Sequence, residues 1–192
     1  MIVIIDYDAG NVASVKNAIE RLGAACIISA EPENIRQADK VIFPGVGEAA
    51  YAMNYLQQKG LDQLIPHLQQ PVLGICLGLQ LMCQHTEEGN TNCLGIFDTE
   101  VKLFPPLQLV PHMGWNTMAQ RQGKLFDGIS ETDDVYFVHS YYAALCAHTI
   151  AQTDYIIPFS AGLQKDNFYA TQFHPEKSGS VGEKIIQNFL AL

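Results

Sequence analysis

Hydrophobic positions along the chain keep two rhythms. Residues 1–5, Met1-Ile2-Val3-Ile4-Ile5, form an unbroken and largely β-branched run, the pattern of a strand buried on both faces. Val12, Val15, Ile19 and Leu22 then recur at spacings of three, four and three, which predicts a helix capped by Asn11 and stopped at Gly23. Apolar runs at 26–28 and 40–43 read as the next two strands. A helix is expected over 48–59, ended by Gly60, and a short one over 61–68 interrupted by Pro66. Residues 71–75 give a fourth buried strand and 77–85 a further helical stretch. Strands alternating with helices predict a parallel sheet covered on both faces.

Beyond about residue 90 the rhythm changes. Strand-like runs at 97–104, 135–138 and 168–173 are separated by longer turn-rich segments, so antiparallel additions to the sheet are expected in the C-terminal half. Ser180-Val181-Gly182-Glu183 reads as a capping box for a last helix whose Val181, Ile185 and Phe189 share a face. No internal repeat or linker interrupts the pattern, and residues 1–192 read as one α/β domain.

Composition narrows the function classes. With 20 acidic against 11 basic side chains the net charge is −9, and no Lys/Arg cluster offers a nucleic-acid face. No run reaches the ~20 apolar residues of a membrane span, and the apolar start, ended by Asp6, lacks the basic leader of a signal peptide. Five cysteines without paired spacing point to reduced thiols and a cytoplasmic protein. Hydrophobic residues at 48% can build a core. Charged residues at 16% fall below the usual ~25%, as expected where a partner covers some surface.

Candidate chemistry starts at Gly74-Ile75-Cys76-Leu77-Gly78, between a buried strand and a helix. This is the G-x-nucleophile-x-G form of a nucleophile elbow, a turn so sharp that side chains two residues either side of the nucleophile would collide with neighbours. At a helix N-terminus, Cys76 meets a dipole that favours the thiolate. A thiol nucleophile needs a base and the base an orienting group. His174-Pro175-Glu176 supplies both. On an extended chain residues i and i+2 point the same way, so Glu176 can reach one ring nitrogen while the other faces the thiol. Pro44-Gly45-Val46-Gly47 forms a tight turn whose N–H groups can converge on an anionic oxygen, with the N–H of Leu77 as the other donor.

Gln80, four residues past Cys76 on the same helix face, can hydrogen-bond a polar substrate, and His139-Ser140-Tyr141 can bring backbone groups to the same pocket. Gly45-Val46-Gly47-Glu48-Ala49-Ala50 also satisfies a dinucleotide fingerprint. It follows the third strand rather than the first, and Glu48 would put negative charge against a pyrophosphate, so that reading is rejected. His67, His85, His112 and His148 show no ligand spacing, and neither a metal nor a cofactor is expected.

Gly74-Ile75-Cys76-Leu77-Gly78-Leu79-Gln80, Pro44-Gly45-Val46-Gly47 and His174-Pro175-Glu176, in this order and spacing, resemble the class I (triad) glutamine amidotransferases, which have a flavodoxin-like fold. Asp6-Tyr7-Asp8-Ala9-Gly10-Asn11, Pro111-His112-Met113-Gly114-Trp115-Asn116 and Tyr136-Phe137-Val138-His139-Ser140-Tyr141 narrow the resemblance to the amidotransferase subunits of histidine biosynthesis. The resemblance implies Cys76 as nucleophile, His174 as acid and base, and Glu176 as its orienting partner. It further implies Val46, Gly47 and Leu77 around the oxyanion, and Gly47, Gln80, Ser140 and Tyr141 around glutamine. By the same resemblance, ammonia passes to a cyclase subunit folded as a (β/α)8 barrel, bound as a heterodimer. Met113, Trp115 and Lys177 are the expected contacts with it. Asp8 stands where the family often has glycine, and aspartate tolerates the left-handed backbone better than most residues. Two other readings share parts of the pattern: a stand-alone cysteine hydrolase, either a peptidase or a γ-glutamyl hydrolase, and a flavodoxin-like module that binds a nucleotide or flavin.

Overall fold

The computed structural model describes residues 1–8 and 11–192, so the Ala9-Gly10 part of the first motif lies outside the described residues. The N-terminal half runs β1 (Ile2–Ile5), α1 (Val12–Arg21), β2 (Cys26–Ser29), α2 (Pro32–Arg36), β3 (Lys40–Phe43), α3 (Ala49–Gln58), α4 (Leu61–Leu64), β4 (Val72–Ile75) and α5 (Leu77–Met82). Short strands β5 (His85–Thr86) and β6 (Thr91–Asn92) lead into β7 (Glu100–Leu103), β8 (His112–Thr117), β9 (Asp134–His139) and β10 (Tyr141–Ala143). The chain closes with β11 (Thr149–Tyr155), β12 (Ile157–Lys165), β13 (Phe168–Thr171) and α6 (Gly179–Leu190).

Seven strands form the main sheet in the order β11-β12-β13-β4-β3-β1-β2. The five from β13 to β2 are mutually parallel, while β12 and β11 add antiparallel beyond β13. Alternation along β1 explains its unbroken hydrophobicity. Val3 and Ile5 join the core beneath α3, α4 and α5, whereas Ile2 and Ile4 join the core beneath α1 and α6. The strands after which Pro44, Cys76 and His174 follow are three adjacent ones, β3, β4 and β13. Their carboxyl ends therefore bring the three motifs to one edge, where open parallel sheets bind ligands.

The antiparallel additions are not the runs that the hydrophobic pattern singled out. Of those three runs only the last joins the main sheet, as β13, and it lies parallel to β4. Within 97–104 only β7 is a strand, in a separate four-stranded sheet, and β9 pairs with β8 as a two-stranded ribbon. The added strands are β11 and β12, whose buried Ser160, Ala161 and Thr153 carry too little hydrophobicity to announce a core strand. The short α2 also escapes the pattern.

Two expected caps are absent. Asn11 precedes α1 in a left-handed conformation (φ 83°) that turns its amide away from the helix. The last helix starts at Gly179, so Ser180 lies inside it, and Ser178 at the N-cap position makes no capping bond. Glu48, by contrast, caps α3, its carboxylate accepting from the N–H groups of Ala50 and Tyr51 at 3.2 and 2.9 Å. Asp8 adopts the left-handed backbone expected of it, at φ 60°. Among the described residues no helix is long and apolar enough to cross a membrane.

Candidate active site

Cys76 sits at the bend between β4 and α5 with φ 53° and ψ −104°, a conformation that costs a non-glycine residue of order 1–3 kcal/mol. The surroundings enforce it. The Cys76 N–H donates to the Thr171 carbonyl on β13 at 2.7 Å. A Cβ at Gly78 would lie 1.8 Å from the Phe43 carbonyl oxygen, and one at Gly45 would lie 1.8 Å from the Tyr7 hydroxyl. Glycine at both positions lets β3 and α5 approach closely enough to hold the thiol forward. Sγ lies 3.9 Å from the Val138 carbonyl and accepts a long hydrogen bond from Gln172 Nε2 at 3.6 Å.

His174 follows β13, and its Nδ1 lies 2.8 Å from Glu176 Oε1, with both side chains fully buried. Because a carboxylate only accepts, Nδ1 carries a hydrogen in this pair and Nε2 is left outside it. The expected pairing is present by a different route. Pro175–Lys177 is a 3₁₀ turn rather than extended chain, and the turn brings Glu176 back to the ring. Asn11 Nδ2 donates to the same carboxylate oxygen, so the residue expected as a cap braces the triad instead. Ser178 clamps the loop from the other side, its hydroxyl donating to the His174 carbonyl at 2.7 Å and accepting from the Tyr136 N–H at 2.9 Å. His174 Nε2 is buried without a hydrogen-bond partner. Burial alone would favour the neutral ring, but the proximity of Cys76 and the hydrogen-bonded Glu176 carboxylate outweigh it and raise the His174 pKa to about 10.

A cavity of about 300 Å³ opens over the thiol, lined among others by Val46, Gly47, Leu77, Gln80, Ser140 and Tyr141. All the residues expected around the oxyanion and the substrate thus meet at Cys76. One expected oxyanion donor is engaged in this structure: the Leu77 N–H donates to the Gly45 carbonyl at 3.3 Å.

The expected partner contacts lie outside the cavity. Met113 and Trp115 are on strand β8 rather than in a turn, 61% and 57% exposed. Trp115 packs edge-on against Tyr136 at 5.9 Å, and the Tyr136 carbonyl accepts the His174 N–H at 2.9 Å. Lys177 is exposed beside Glu176. Asn11, Ser178, Gln172 and His112 are the site residues that pattern reading placed elsewhere or passed over, and for His139 it expected backbone groups at the pocket rather than the imidazole.

A buried thiol, imidazole and carboxylate at the carboxyl edge of a parallel sheet define a nucleophilic hydrolase or transferase site. Comparison with known proteins gives that class its family. The sequence pattern of the family Glutamine amidotransferase class-I matches residues 3–192, and the chain belongs to that family. It is accordingly an enzyme, a glutamine amidotransferase, which sets aside the nucleotide- or flavin-binding module. Among particular proteins, it is 58% identical over 194 residues to Imidazole glycerol phosphate synthase subunit HisH of Bacteroides thetaiotaomicron, covering 100% of this chain and 99% of that protein. The subunit of the same name from Yersinia pseudotuberculosis is 46% identical over 194 residues, with the same coverage. Solved structures of similar fold include a glutamine amidotransferase (TM-score 0.78, 16% identity, covering 100% of this chain and 98% of that one). Another is PurLQS from Thermotoga maritima (TM-score 0.73, 13% identity, covering 99% and 97%).

Proposed function

We propose that this chain is the glutaminase subunit of imidazole glycerol phosphate synthase, working as one domain over 1–192 in the cytoplasm. Cys76 Sγ attacks the side-chain carboxamide carbon of glutamine, and the C–N bond breaks as His174 Nε2 protonates the departing ammonia. Water, deprotonated by the same nitrogen, then hydrolyses the γ-glutamyl thioester and releases glutamate and the free thiol. Glu176 holds the imidazole in its working tautomer and stabilises its charged form. Gly47, Gln80, Ser140 and Tyr141 hold the amino-acid end of the substrate.

The N–H groups of Gly47 and Leu77 serve the tetrahedral oxyanion, with Val46 adjoining. For Leu77 this requires the Gly45–Val46 peptide to turn its carbonyl away. The partner is the (β/α)8-barrel cyclase subunit of the synthase, joined as a heterodimer through Met113, Trp115 and Lys177, and it consumes the ammonia. No cofactor or metal enters the reaction. The observation that most supports this reading is a thiol that lines a cavity of about 300 Å³ and raises the pKa of a nearby imidazole, which is itself paired with a buried carboxylate. The test is a glutamine assay following ammonia and glutamate with and without purified cyclase. Hydrolysis that rises strongly with the cyclase is expected; equal release in both arms would favour the stand-alone cysteine hydrolase.

A further inference from the structure

A chain of hydrogen bonds runs from the β8–β9 ribbon to the cavity, which His139 itself lines. His112 and His139 stand directly opposite in the ribbon's register, and His112 Nδ1 lies 3.0 Å from His139 Nε2. His139 Nδ1 lies 2.7 Å from the Tyr141 carbonyl oxygen. A carbonyl only accepts, so His139 carries its hydrogen on Nδ1 and accepts at Nε2, which makes His112 the donor through its own Nδ1. His112 Nε2 is then an acceptor, and Asn116 Nδ2 lies 3.3 Å from it. One proton arrangement satisfies every link. Burial keeps both rings neutral, lowering His112 to about 4 and His139 to about 3.

The Tyr141 carbonyl takes a second hydrogen bond, from Gln80 Nε2 at 2.9 Å. The other hydrogen of that amide goes to Gln172 Oε1 at 3.1 Å. Both Gln80 amide hydrogens are therefore spent inside the protein. Gln80 Oε1 has no partner among the described residues, and its side chain lines the cavity. Should the Tyr141 carbonyl turn, the amide could rotate and offer its NH₂ to the cavity instead.

We propose that His112 and His139 are positioning residues for glutamine: by pinning the Tyr141 carbonyl they lock the Gln80 amide with its oxygen toward the substrate, as an acceptor for the α-ammonium group. The inference rests on the reading of this cavity as the glutamine site. It makes the relay a device of specificity, because an acceptor at that place favours a free amino acid over an analogue lacking the amine.

Glutamine kinetics of the complex with the cyclase test it. His139→Leu should raise KM about 10-fold or more while kcat changes by less than about 3-fold. The preference over des-amino glutamine should shrink in parallel. His139→Asn, whose amide nitrogen takes the place of Nδ1, should recover much of the loss. His112→Phe preserves the stacking against Phe137 and Tyr155, at 4.7 and 4.0 Å, and should raise KM to a smaller extent. An unchanged KM in both His139→Leu and His112→Phe, or a loss that His139→Asn does not relieve, would overturn the proposal. Should His139→Leu not fold, ¹⁵N NMR of the wild-type imidazoles decides alone: both rings are expected as Nδ1–H tautomers, and an Nε2–H tautomer at His139 overturns the relay. A wild-type complex that releases no glutamate from glutamine would instead refute the functional reading, and the tautomer measurement would still judge the relay.

Discussion

Imidazoles serve opposite ends in two neighbouring regions of this protein. At the end of β13, His174 is surrounded by a thiol and a carboxylate, and its pKa rises to about 10 despite burial. In the β8–β9 ribbon, burial dominates, and His112 and His139 are held neutral with pKa values of about 4 and 3. His174 in turn helps to lower His139. Burial is the shared condition, and what separates the two outcomes is whether a negative partner is present. The charged ring is equipped for proton transfer. The neutral pair can only hold geometry, because a proton on His139 would set donor against donor across its 3.0 Å contact with His112, and one on His112 would do so across its 3.3 Å contact with Asn116.

The sharpest way to break this contrast is to remove the thiol. Cys76→Ala should lower partner-stimulated glutamate release by at least about 10³-fold. Because Cys76 is a main cause of the raised His174 pKa, NMR titration should find that value falling below about 10 in the same variant. Persistent stimulated release would move the nucleophile elsewhere. Glu176→Gln removes the second cause and should cost about 10²-fold in turnover, with a smaller fall in the His174 pKa. A rate close to wild type would leave the carboxylate without a catalytic role.

The pH dependence of stability sharpens the comparison, because the two regions contribute with opposite sign. His174, raised above its ordinary 6.5, contributes stability that is whole below that value and fades as pH climbs toward about 10. The depressed pair contributes stability that is whole above 6.5 and fades as pH falls toward about 4 and 3. Denaturant unfolding across pH should therefore show an acid-side decline that is shallower in His112→Phe, and an equally steep decline would mean that His112 does not titrate as stated. Effects at the proposed docking surface are expected to be smaller. Trp115→Ala should weaken cyclase binding by about 10-fold and Lys177→Ala by only a few-fold, on the scale of an exposed ion pair. Calorimetric titration giving wild-type affinity for both would place the interface elsewhere.

The two regions also differ in how far they can be read from sequence. Cys76 and its flanking glycines, the Pro44–Gly47 turn and the His174–Glu176 step are local motifs, and each lies at a strand end that hydrophobic patterning locates. Their meeting follows from strand order alone, since β3, β4 and β13 are adjacent. The ribbon depends on pairing between residues far apart in the chain. Whether His112 faces His139 is a matter of register, which no local pattern fixes. For the same reason Asn11 passes for a helix cap, although its amide reaches Glu176, 165 positions onward. The strands β11 and β12 stay hidden because small and polar residues such as Ala151, Thr153, Ser160 and Ala161 interrupt their buried apolar positions.

The backbone angles at Cys76 carry a last consequence. A torsion of φ 53° with ψ −104° suits only glycine without penalty, so the proposed nucleophile is held at a position where its side chain works against the folded state. Exchanging that cysteine for glycine should therefore yield an inert protein that tolerates heat better than the working one. On the proposed reading thermal resilience is exchanged for reactivity at this one bend, and a search for hardier variants that scores melting temperature alone would be drawn to erase the proposed nucleophile first.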